Sequence, residues 1–377
     1  MVAGEASGDL LAGLLLAGMR SQWPNLEAVG IGGPRMAARG FEAWWPHHKL
    51  SVHGFGWDVL FRYREIVGIR NSLRKRLTAW RPELFVGIDA PDFNLDLERD
   101  LKRMGVRTVH FVSPSIWAWR PERIEKIRQS VDHVLCLFPF EPALLHAQGI
   151  GATYVGHPLA GLIPRAADRI AARRQLAFED DDLVLALLPG SRKSEIQHLA
   201  SRFFQAAALV GNDYPAMKFV VPVVAGLEPA IQAAARSSPL GSRLTLVEGQ
   251  SHAALAACDV TLIASGTATL EAALYKKPMV ISYHMGALSW SVMQRKRLQP
   301  WVGLPNILCE EFVVPELLQS EATPRALANE VLSWIHDLQG GRSRTNRLEA
   351  RFDQLHADLQ RDTSALACDA IQEVLDV

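Results

Sequence analysis

Short apolar runs alternate with amphipathic stretches along most of the chain. Most runs end in a turn that contains glycine, proline, serine or aspartate, so they predict buried strands. The predicted strands are residues 28–31, 84–88, 108–112 and 133–137 in the first half, and 183–188, 218–223, 244–247, 260–264 and 279–283 in the second. The stretches between them have helical periodicity. One such stretch, residues 195–210, forms an apolar stripe of Ile196, Leu199, Phe203 and Ala207. The alternation predicts an α/β protein in which helices connect parallel strands.

The length of the chain predicts two domains, because 377 residues exceed what one hydrophobic core usually supports. Glycine and proline interrupt the pattern at residues 156–165, before the next helix begins. The boundary therefore divides residues 1–160 from residues 161–377, with a cleft expected between the two domains. The helices after Pro324 are expected to pack back on the first domain. Only three residues precede the turn at Gly4, so the first strand is predicted to be truncated.

Composition and the N-terminal segment indicate the partners and the compartment of the protein. Forty Lys and Arg balance forty Asp and Glu, so no overall field attracts nucleic acid. The four cysteines lack disulfide or zinc spacing, and a reducing compartment fits them best. The N-terminus lacks the basic start of a signal peptide, and its apolar run at residues 10–19 is shorter than the ~20 residues that span a bilayer. We expect a cytoplasmic protein, with no acidic cluster that must hold a metal.

The turn after the predicted strand 183–188 favours an anion site. Gly190 and Ser191 lead into a helix whose first N–H groups and dipole attract negative charge, and the Arg192 guanidinium matches phosphate oxygens. Ser194 and Gln197 have the spacing of a capping box. The alternative is an ordinary strand-to-helix turn with a solvent-exposed arginine.

A second turn of small residues follows the predicted strand 260–264. Ser265, Gly266 and Thr267 allow a ligand to approach backbone N–H groups, and Glu271 could accept hydrogen bonds from the two hydroxyls of a ribose. Glu271 could instead only complement the positive end of its helix. Two such turns at the carboxyl ends of neighbouring strands favour nucleotide binding by the second domain.

The first domain places acidic residues at the ends of two predicted strands. The turn that contains Glu5 opens a helix, for which Ser7 or Asp9 is a competent cap. Its acids suit a sugar or an acceptor better than a diphosphate. Asp89 lies at the mouth of a parallel strand, where it could serve as a general base.

Other polar and aromatic residues of the first domain have simpler interpretations. Asp92 is most simply the cap of the helix that follows Asp89. Trp117, in the turn after the predicted strand 108–112, could line a site or only pack. His110 and His157 are interpreted as structural.

Residues 51–76 interleave aromatic and aliphatic side chains with arginines. Such a segment can lie in the interface of an anionic membrane. The residues predicted to face the membrane are Phe55, Trp57, Leu60, Phe61, Arg62, Arg64 and Arg70. The alternative is a core helix with a solvated basic face.

Seven strings of the chain are informative when taken together. They are Val2-Ala3-Gly4-Glu5-Ala6-Ser7-Gly8-Asp9, Gly33-Pro34-Arg35-Met36, Gly87-Ile88-Asp89-Ala90-Pro91-Asp92-Phe93-Asn94, Val112-Ser113-Pro114-Ser115-Ile116-Trp117-Ala118-Trp119-Arg120, Leu188-Pro189-Gly190-Ser191-Arg192, Ala264-Ser265-Gly266-Thr267-Ala268-Thr269-Leu270-Glu271 and Leu304-Pro305-Asn306. Together they resemble the strings of the lipid-A-disaccharide synthase family. They occur in the family's order over nearly the whole chain. The resemblance implies a GT-B fold of two Rossmann-like domains, the first facing the acceptor and the membrane and the second binding a UDP-sugar.

The resemblance also implies a reaction and its residues. UDP-2,3-diacylglucosamine would react with 2,3-diacylglucosamine 1-phosphate (lipid X) to give a β-1,6-linked disaccharide and UDP, with no cofactor and no metal. Asp89 would deprotonate the acceptor, Arg192 would stabilise the leaving diphosphate, and Glu271 would hold the ribose. Further phosphate donors would come from Gly190, Ser191, Ser265, Gly266 and Thr267. Glu5 and Asn306 would line the cleft near the reacting sugars.

Other functions stay open on the sequence alone. A UDP-sugar epimerase of the same fold would use a similar nucleotide site, and an inactive membrane-associated nucleotide-binding protein would account for a short first strand. A dinucleotide-dependent oxidoreductase is suggested by Gly30-Ile31-Gly32-Gly33, but that run lacks the expected glycine spacing. We expect the protein to associate peripherally with the inner membrane, and a homodimer is left open.

Overall fold

The computed structural model describes residues 1–50, 57–118, 120–236, 238, 240 and 243–376, and within these it leaves out the side chains of residues 57–63, 287–289, 292 and 296. The chain forms two compact units. The first contains Met1–Gly161 and Asp358–Val377, and the second contains Leu162–Ala357. The end of the chain is thus part of the first unit.

The first unit is built on a parallel sheet. Its strands are β1 (Val2–Ala3), β2 (Val29–Gly32), β3 (Glu42–Pro46), β4 (Leu84–Ile88), β5 (Arg107–Phe111), β6 (His133–Cys136) and β7 (Gly151–Tyr154). They lie in the order β3-β2-β1-β4-β5-β6-β7, with every paired strand parallel to its neighbour. Although β1 has only two residues, it pairs on both sides. The strand order reverses between β1 and β4, as in nucleotide-binding α/β folds.

Helices cover the two faces of this sheet. They are α1 (Ala6–Gln22), α2 (Pro34–Ala37), α3 (Trp57–Trp80), α4 (Pro91–Lys102), α5 (Arg123–Ser130), α6 (Glu141–His146), α7 (Pro158–Leu162), which ends at the first residue of the second unit, and α17 (Thr363–Asp376). Alternate residues of β4 point to opposite faces, so Phe85 packs in the core under α3 and α4, whereas Val86 and Ile88 pack in the core under α1 and α17.

The second unit repeats the same architecture. Its strands are β8 (Val184–Leu188), β9 (Lys218–Val223), β10 (Leu244–Glu248), β11 (Val260–Ala264), β12 (Met279–Tyr283) and β13 (Glu316–Leu318). Their order is β10-β9-β8-β11-β12-β13, again parallel throughout, so the reversal lies between β8 and β11.

The helices of the second unit connect these strands and complete its C-terminal part. They are α8 (Arg169–Gln175), α9 (Lys193–Asp213), α10 (Glu228–Arg236), α11 (Ser251–Ala257), α12 (Thr267–Leu274), α13 (Ala287–Lys296), α14 (Leu304–Cys309), α15 (Pro324–Gln339) and α16 (Ser343–Leu359), whose last two residues belong to the first unit. The stripe predicted on α9 is buried, with Ile196, Leu199, Phe203 and Ala207 all in the core.

All nine predicted strands are confirmed within one residue at each end, and three further strands that the pattern did not predict are present. Two of these, β3 and β13, are edge strands. Residues of β3 are exposed or half-buried, and β13 has only three residues. The third, β7, is also an edge strand and has one fully buried residue. An edge strand has one paired side, so it needs no continuous apolar run.

The carboxylate of Asp9 connects the first turn of α1 to the start of α2. Its buried carboxylate accepts hydrogen bonds from the backbone N–H groups of Gly33 (2.8 Å), Arg35 (2.9 Å) and Met36 (3.2 Å) at the start of α2. The prediction that Ser7 or Asp9 caps α1 is wrong, because the N-cap of α1 is Glu5, and its side chain makes no cap hydrogen bond. Asp9 caps the neighbouring helix instead.

We predict that Asp9→Ala destabilises the first unit by about 3 kcal/mol, because it leaves two buried N–H groups and one part-buried N–H group without an acceptor. Denaturant unfolding followed by tryptophan fluorescence measures the loss. The matched control is Asp92→Ala, which removes an 81% exposed carboxylate from a surface ion pair and should cost far less. Equal losses in the two variants would show that the bonds of Asp9 contribute little.

Candidate active site

The turns that follow β1 and β4 meet at the carboxyl edge of the first sheet. A side-chain carbon placed on Gly4 would lie 3.1 Å from Cβ of Ala90, so the two turns are in close contact. This contact follows from the reversed strand order, which makes β1 and β4 neighbours. It brings the turn of Glu5 beside the turn of Asp89.

The turn of Asp89 has an unusual backbone. Asp89 (φ 52°) and Ala90 (φ 45°) both lie in the left-handed region. The Asp89 N–H donates to the carbonyl oxygen of Phe111 (2.9 Å), and Nδ2 of Asn94 donates to the carbonyl oxygen of Asp89 (2.8 Å). Such backbone strain is retained where the surrounding structure holds it, and it is concentrated at functional sites. Asp89 is half-buried at the sheet edge, as expected for a residue that meets a ligand.

One further prediction about this edge has a clear outcome. Asp92 does not cap α4, because the helix already begins at Pro91 and Ala90 is its N-cap. Asp92 is exposed and pairs with Arg123 and Arg120. Glu5 is exposed at the start of α1. A direct role for Glu5 in the reaction stays a prediction.

An aromatic cluster beside this edge was only partly expected. Trp117 packs edge-on against Phe138 and Phe140, and Phe138 stacks on His157. Behind them, the Glu141 carboxylate accepts hydrogen bonds from the Trp117 indole and from two backbone N–H groups. Burial raises the pKa of Glu141 to about 7 although these donors oppose the shift, and burial lowers the pKa of His157 to about 4. His157 is therefore neutral at physiological pH, which agrees with a structural role.

In the second unit the turn after β8 is already occupied by a carboxylate. The N–H groups of Ser191 (2.9 Å) and Arg192 (3.2 Å) both donate to Oε2 of Glu195. Gly190 (φ 127°) makes room for this side chain, since a Cβ there would lie 2.4 Å from that of Glu195. The predicted capping box of Ser194 and Gln197 is wrong, because α9 begins two residues earlier than that spacing requires.

Arg192 lies at the surface of this turn. Its side chain is 66% exposed, and Nη1 lies 3.5 Å from Oε1 of Glu195. The charges of Arg192 and Glu195 both act on the hydroxyl of Tyr283, at the end of β12. Burial and Glu195 raise the pKa of Tyr283, and Arg192 lowers it. Because its side chain is exposed, an arginine in this position can reach a ligand anion directly from solvent.

The second predicted turn follows β11, the strand beside β8. Gly266 (φ 151°) and Thr267 are exposed, and no atom of the described residues lies within 4 Å of a Cβ placed on Gly266. Ser265 already has hydrogen-bond partners. Its N–H donates to the carbonyl oxygen of Ser282, and its hydroxyl donates to the carbonyl oxygen of Val302 (3.2 Å). The open part of this turn is therefore at Gly266 and Thr267.

Glu271 and Asn306 contact protein groups that the sequence did not indicate. Oε2 of Glu271 lies 3.4 Å from Nε2 of His252, and this contact raises the pKa of His252. Asn306 is fully buried, donates to the Val314 carbonyl (2.9 Å) and to Glu316 (2.8 Å), and accepts from the Val314 N–H (3.0 Å). In this geometry Asn306 holds the loop around α14, and a contact with the reacting sugars stays a prediction.

The basic segment is helical from Trp57 onward. Phe55 lies outside the described residues, as do the side chains of Trp57, Leu60, Phe61 and Arg62. Arg64 is exposed. Arg70 is removed from the membrane-facing set, because its side chain is 24% exposed and pairs with Asp96 of α4 (2.6 Å). Further along α3, Ile69 and Leu73 are buried in the core, so this part of the segment is the core helix of the alternative interpretation.

Comparisons with known proteins agree with this architecture. The sequence profile of the lipid-A-disaccharide synthetase family matches residues 1–371. A lipid-A-disaccharide synthase from Albidiferax ferrireducens is 66% identical over 375 residues, covering 100% of this chain and 96% of that protein.

Two solved structures of low sequence identity share the fold. UDP-GlcNAc 2-epimerase from Neisseria meningitidis bound to UDP-GlcNAc has a TM-score of 0.60 at 11% identity, covering 98% of this chain and 97% of that one. MurG from Acinetobacter baumannii has a TM-score of 0.54 at 14% identity, covering 97% and 96%. At these identities the likeness shows the fold alone. The predicted GT-B fold, with two parallel-sheet α/β units, is confirmed.

We predict that Glu195→Gln tightens UDP binding about two- to fivefold, because it removes a negative charge that would compete with a diphosphate bound at the start of α9. Isothermal titration calorimetry gives the affinity. The matched control is Glu228→Gln, which changes the first residue of α10 and should leave the affinity unchanged. Weaker binding by Glu195→Gln would mean that the carboxylate shapes the turn for the ligand.

Proposed function

Because the chain belongs to the lipid-A-disaccharide synthetase family, we propose that it transfers 2,3-diacylglucosamine from UDP-2,3-diacylglucosamine to 2,3-diacylglucosamine 1-phosphate (lipid X). The products are the β-1,6-linked disaccharide 1-phosphate and UDP. The family match over residues 1–371 is the observation that carries this proposal.

The proposed reaction is a single in-line displacement. The acceptor 6-hydroxyl attacks the anomeric carbon, the bond from that carbon to the diphosphate breaks, and the configuration inverts. One base for the hydroxyl and stabilisation of the leaving diphosphate suffice, so no covalent nucleophile, metal or cofactor is invoked.

Asp89 is the proposed base. It is half-buried at the carboxyl edge where the strand order reverses, and its turn is held by Asn94. The position suits a group that meets a ligand at the switch point of a parallel sheet. Glu5, exposed in the adjoining turn, is the second candidate.

The proposed UDP site is the carboxyl edge of the second sheet. The turns after β8 and β11 lie on neighbouring strands, and they present the exposed Arg192 side chain and the exposed residues Gly266 and Thr267. Arg192 would bind the diphosphate, which would displace Glu195 from the N–H groups of its turn. Glu271, held by His252, would accept from the ribose hydroxyls.

We predict that Arg192→Ala weakens UDP binding roughly 10- to 150-fold, as expected when a hydrogen bond to a charged group worth ~1.5–3 kcal/mol is lost. Calorimetry measures the change. Arg325→Ala removes an exposed arginine from α15 of the same unit and serves as the control. An unchanged affinity would remove Arg192 from the site.

We predict that Asp89→Asn lowers the transfer rate roughly 100- to 10,000-fold, the contribution typical of a general base. UDP affinity should stay normal, because the proposed nucleotide site is in the other unit. A turnover assay with both lipid substrates gives the rate. Asp92→Asn, three residues away and exposed, is the control and should retain activity. Near-normal turnover by Asp89→Asn would transfer the role of base to Glu5.

We further propose that residues 55–64 dock the protein on an anionic membrane. The acyl chains of both proposed substrates cost ~0.8 kcal/mol per CH₂ to bring into water, so the enzyme is expected to work at the bilayer surface. Arg64 is exposed on α3, while Ile66 and Val67 are half-buried. No helix among the described residues is long and apolar enough to cross a bilayer.

Flotation with liposomes that contain anionic lipid tests this docking. The triple variant Trp57→Ser/Leu60→Ser/Phe61→Ser and the double variant Arg62→Gln/Arg64→Gln should both float less than the wild type. Salt should weaken flotation of the wild type more than that of the arginine variant. The control Leu144→Ser/Leu162→Ser/Ile170→Ser changes three exposed apolar residues elsewhere and should float normally. Equal flotation by all variants would contradict the assignment of this segment.

A further inference from the structure

A buried asparagine lies directly behind the turn of Asp89. Asn94 is at the end of the first turn of α4, and its side chain is fully buried. Its Nδ2 donates to the carbonyl oxygens of Asp89 (2.8 Å) and Ile88 (3.3 Å). A longer hydrogen bond joins the same nitrogen to the carbonyl oxygen of Val2 on β1 (3.4 Å). One amide thus contacts the turn after β4, the end of β4 and the neighbouring strand.

The chemistry of these contacts fixes the orientation of the amide. Oδ1 of Asn94 is buried and has no hydrogen-bond partner among the described residues. Exchanging the nitrogen and the oxygen would place Oδ1 against three carbonyl oxygens, none of which can donate. The amide is therefore held by its donors, and these donors are directed to the backbone around Asp89.

The amide of Asn94 is not explained by the needs of α4. Ala90 is the N-cap of this helix, so Asn94 does not cap it. Other buried positions of the helix, such as Leu95 and Leu97, are apolar. A buried amide with an unpartnered oxygen costs free energy that an apolar side chain would not cost. Its retention points to the turn that its donors contact.

The strand beneath α4 leaves room for this side chain. A Cβ on Gly87 of β4 would lie 3.0 Å from Cβ of Asn94 and 2.1 Å from Oε1 of Glu98. A larger residue there would push the helix outward and withdraw the amide from the carbonyl oxygens. Glycine therefore allows α4 to approach the end of β4 closely enough for Asn94 to reach the turn.

The peptide group that Asn94 contacts joins two strained residues. Asp89 (φ 52°) and Ala90 (φ 45°) are both left-handed, a conformation in which Cβ crowds the following carbonyl oxygen. Aspartate tolerates this region better than alanine, so the cost is greater at Ala90. Such a backbone persists only when its surroundings hold it. The 2.8 Å hydrogen bond from Asn94 to the Asp89 carbonyl oxygen fixes the plane of this peptide.

We propose that Asn94 is a positioning residue for the transfer reaction, which holds the peptide between Asp89 and Ala90 and so presents the Asp89 side chain at the carboxyl edge. This inference rests on the proposed function, in which Asp89 is the base. A general base must lie within hydrogen-bond reach of the proton that it removes, so a small displacement of its backbone lowers the rate. In this role Asn94 acts only through Asp89.

The first test asks whether Asn94 acts through Asp89. Asn94→Ala should lower kcat roughly 5- to 30-fold, the ratio that corresponds to the cost of one left-handed residue, and leave UDP affinity unchanged. In the Asp89→Asn background it should cause no further loss, because the group that it positions is already absent. A further loss of the same size would overturn the inference. The matched control Thr108→Val removes buried hydrogen bonds near the amino end of β5 and should lower stability but not kcat.

The second test removes the strain instead of the hydrogen bonds. Ala90→Gly supplies a residue that adopts the left-handed region without steric cost. The double variant Ala90→Gly/Asn94→Ala should therefore recover most of the kcat that Asn94→Ala loses, to within about twofold of Ala90→Gly alone. If Asn94 served only the packing of α4, glycine would not compensate and the two losses would add. Additive losses would overturn the inference.

The same assays separate this inference from the proposed function. If Asp89→Asn retains near-normal turnover, the assignment of the base fails, and this inference fails with it. If Asp89→Asn is inactive while the losses of Asn94→Ala and Ala90→Gly add, only the role of Asn94 fails. If Asn94→Ala does not fold, the double variant decides. A folded double variant with the turnover of Ala90→Gly supports the inference, and one that is inactive or unfolded overturns it.

Discussion

In each unit the first strand of the parallel sheet lies between the second and the fourth. The turns after the first and fourth strands therefore meet at the carboxyl edge, and the rest of the candidate site depends on this constraint. In the first unit this contact is close, because a Cβ added to Gly4 would lie 3.1 Å from Cβ of Ala90. In the second unit the same order places the turn of Gly190 beside that of Gly266. The chemistry differs between the units because the residues of these turns differ.

Buried or half-buried carboxylates organise the turns at several of these edges. Asp9 binds the start of α2, Glu195 binds the turn after β8, and Glu316 binds the N–H groups of Val302 and Gly303. Each carboxylate satisfies N–H groups that a helix start or turn would otherwise leave without partners. At the turn after β8, however, the same N–H groups are those expected to bind phosphate. Local stability and the proposed diphosphate binding would therefore compete for one set of donors.

In the first unit the turn after β4 carries a half-buried carboxylate instead, that of Asp89, the proposed base. The left-handed backbone of Asp89 is held by Asn94, and a buried pair of His110 and Glu98 lies in the same unit. Two arginines of α3, Arg70 and Arg74, pair with Asp96 and Asp100 of α4. The helix α4 thus presents acids on two faces with different partners.

The sequence by itself determined the family, the GT-B fold, nine of the strands and the residues at both carboxyl edges. These features depend on local periodicity and on turn residues whose backbone requirements are visible in the chain. It did not determine the partners of those residues. Four contacts were found only in the tertiary structure: Glu195 in the turn after β8, Asp96 beside Arg70, His252 beside Glu271 and the buried pair of His110 and Glu98. The physical reason is that a side chain's hydrogen bonds and charge state depend on which groups packing brings within a few ångströms, and most of these groups come from other elements of the chain.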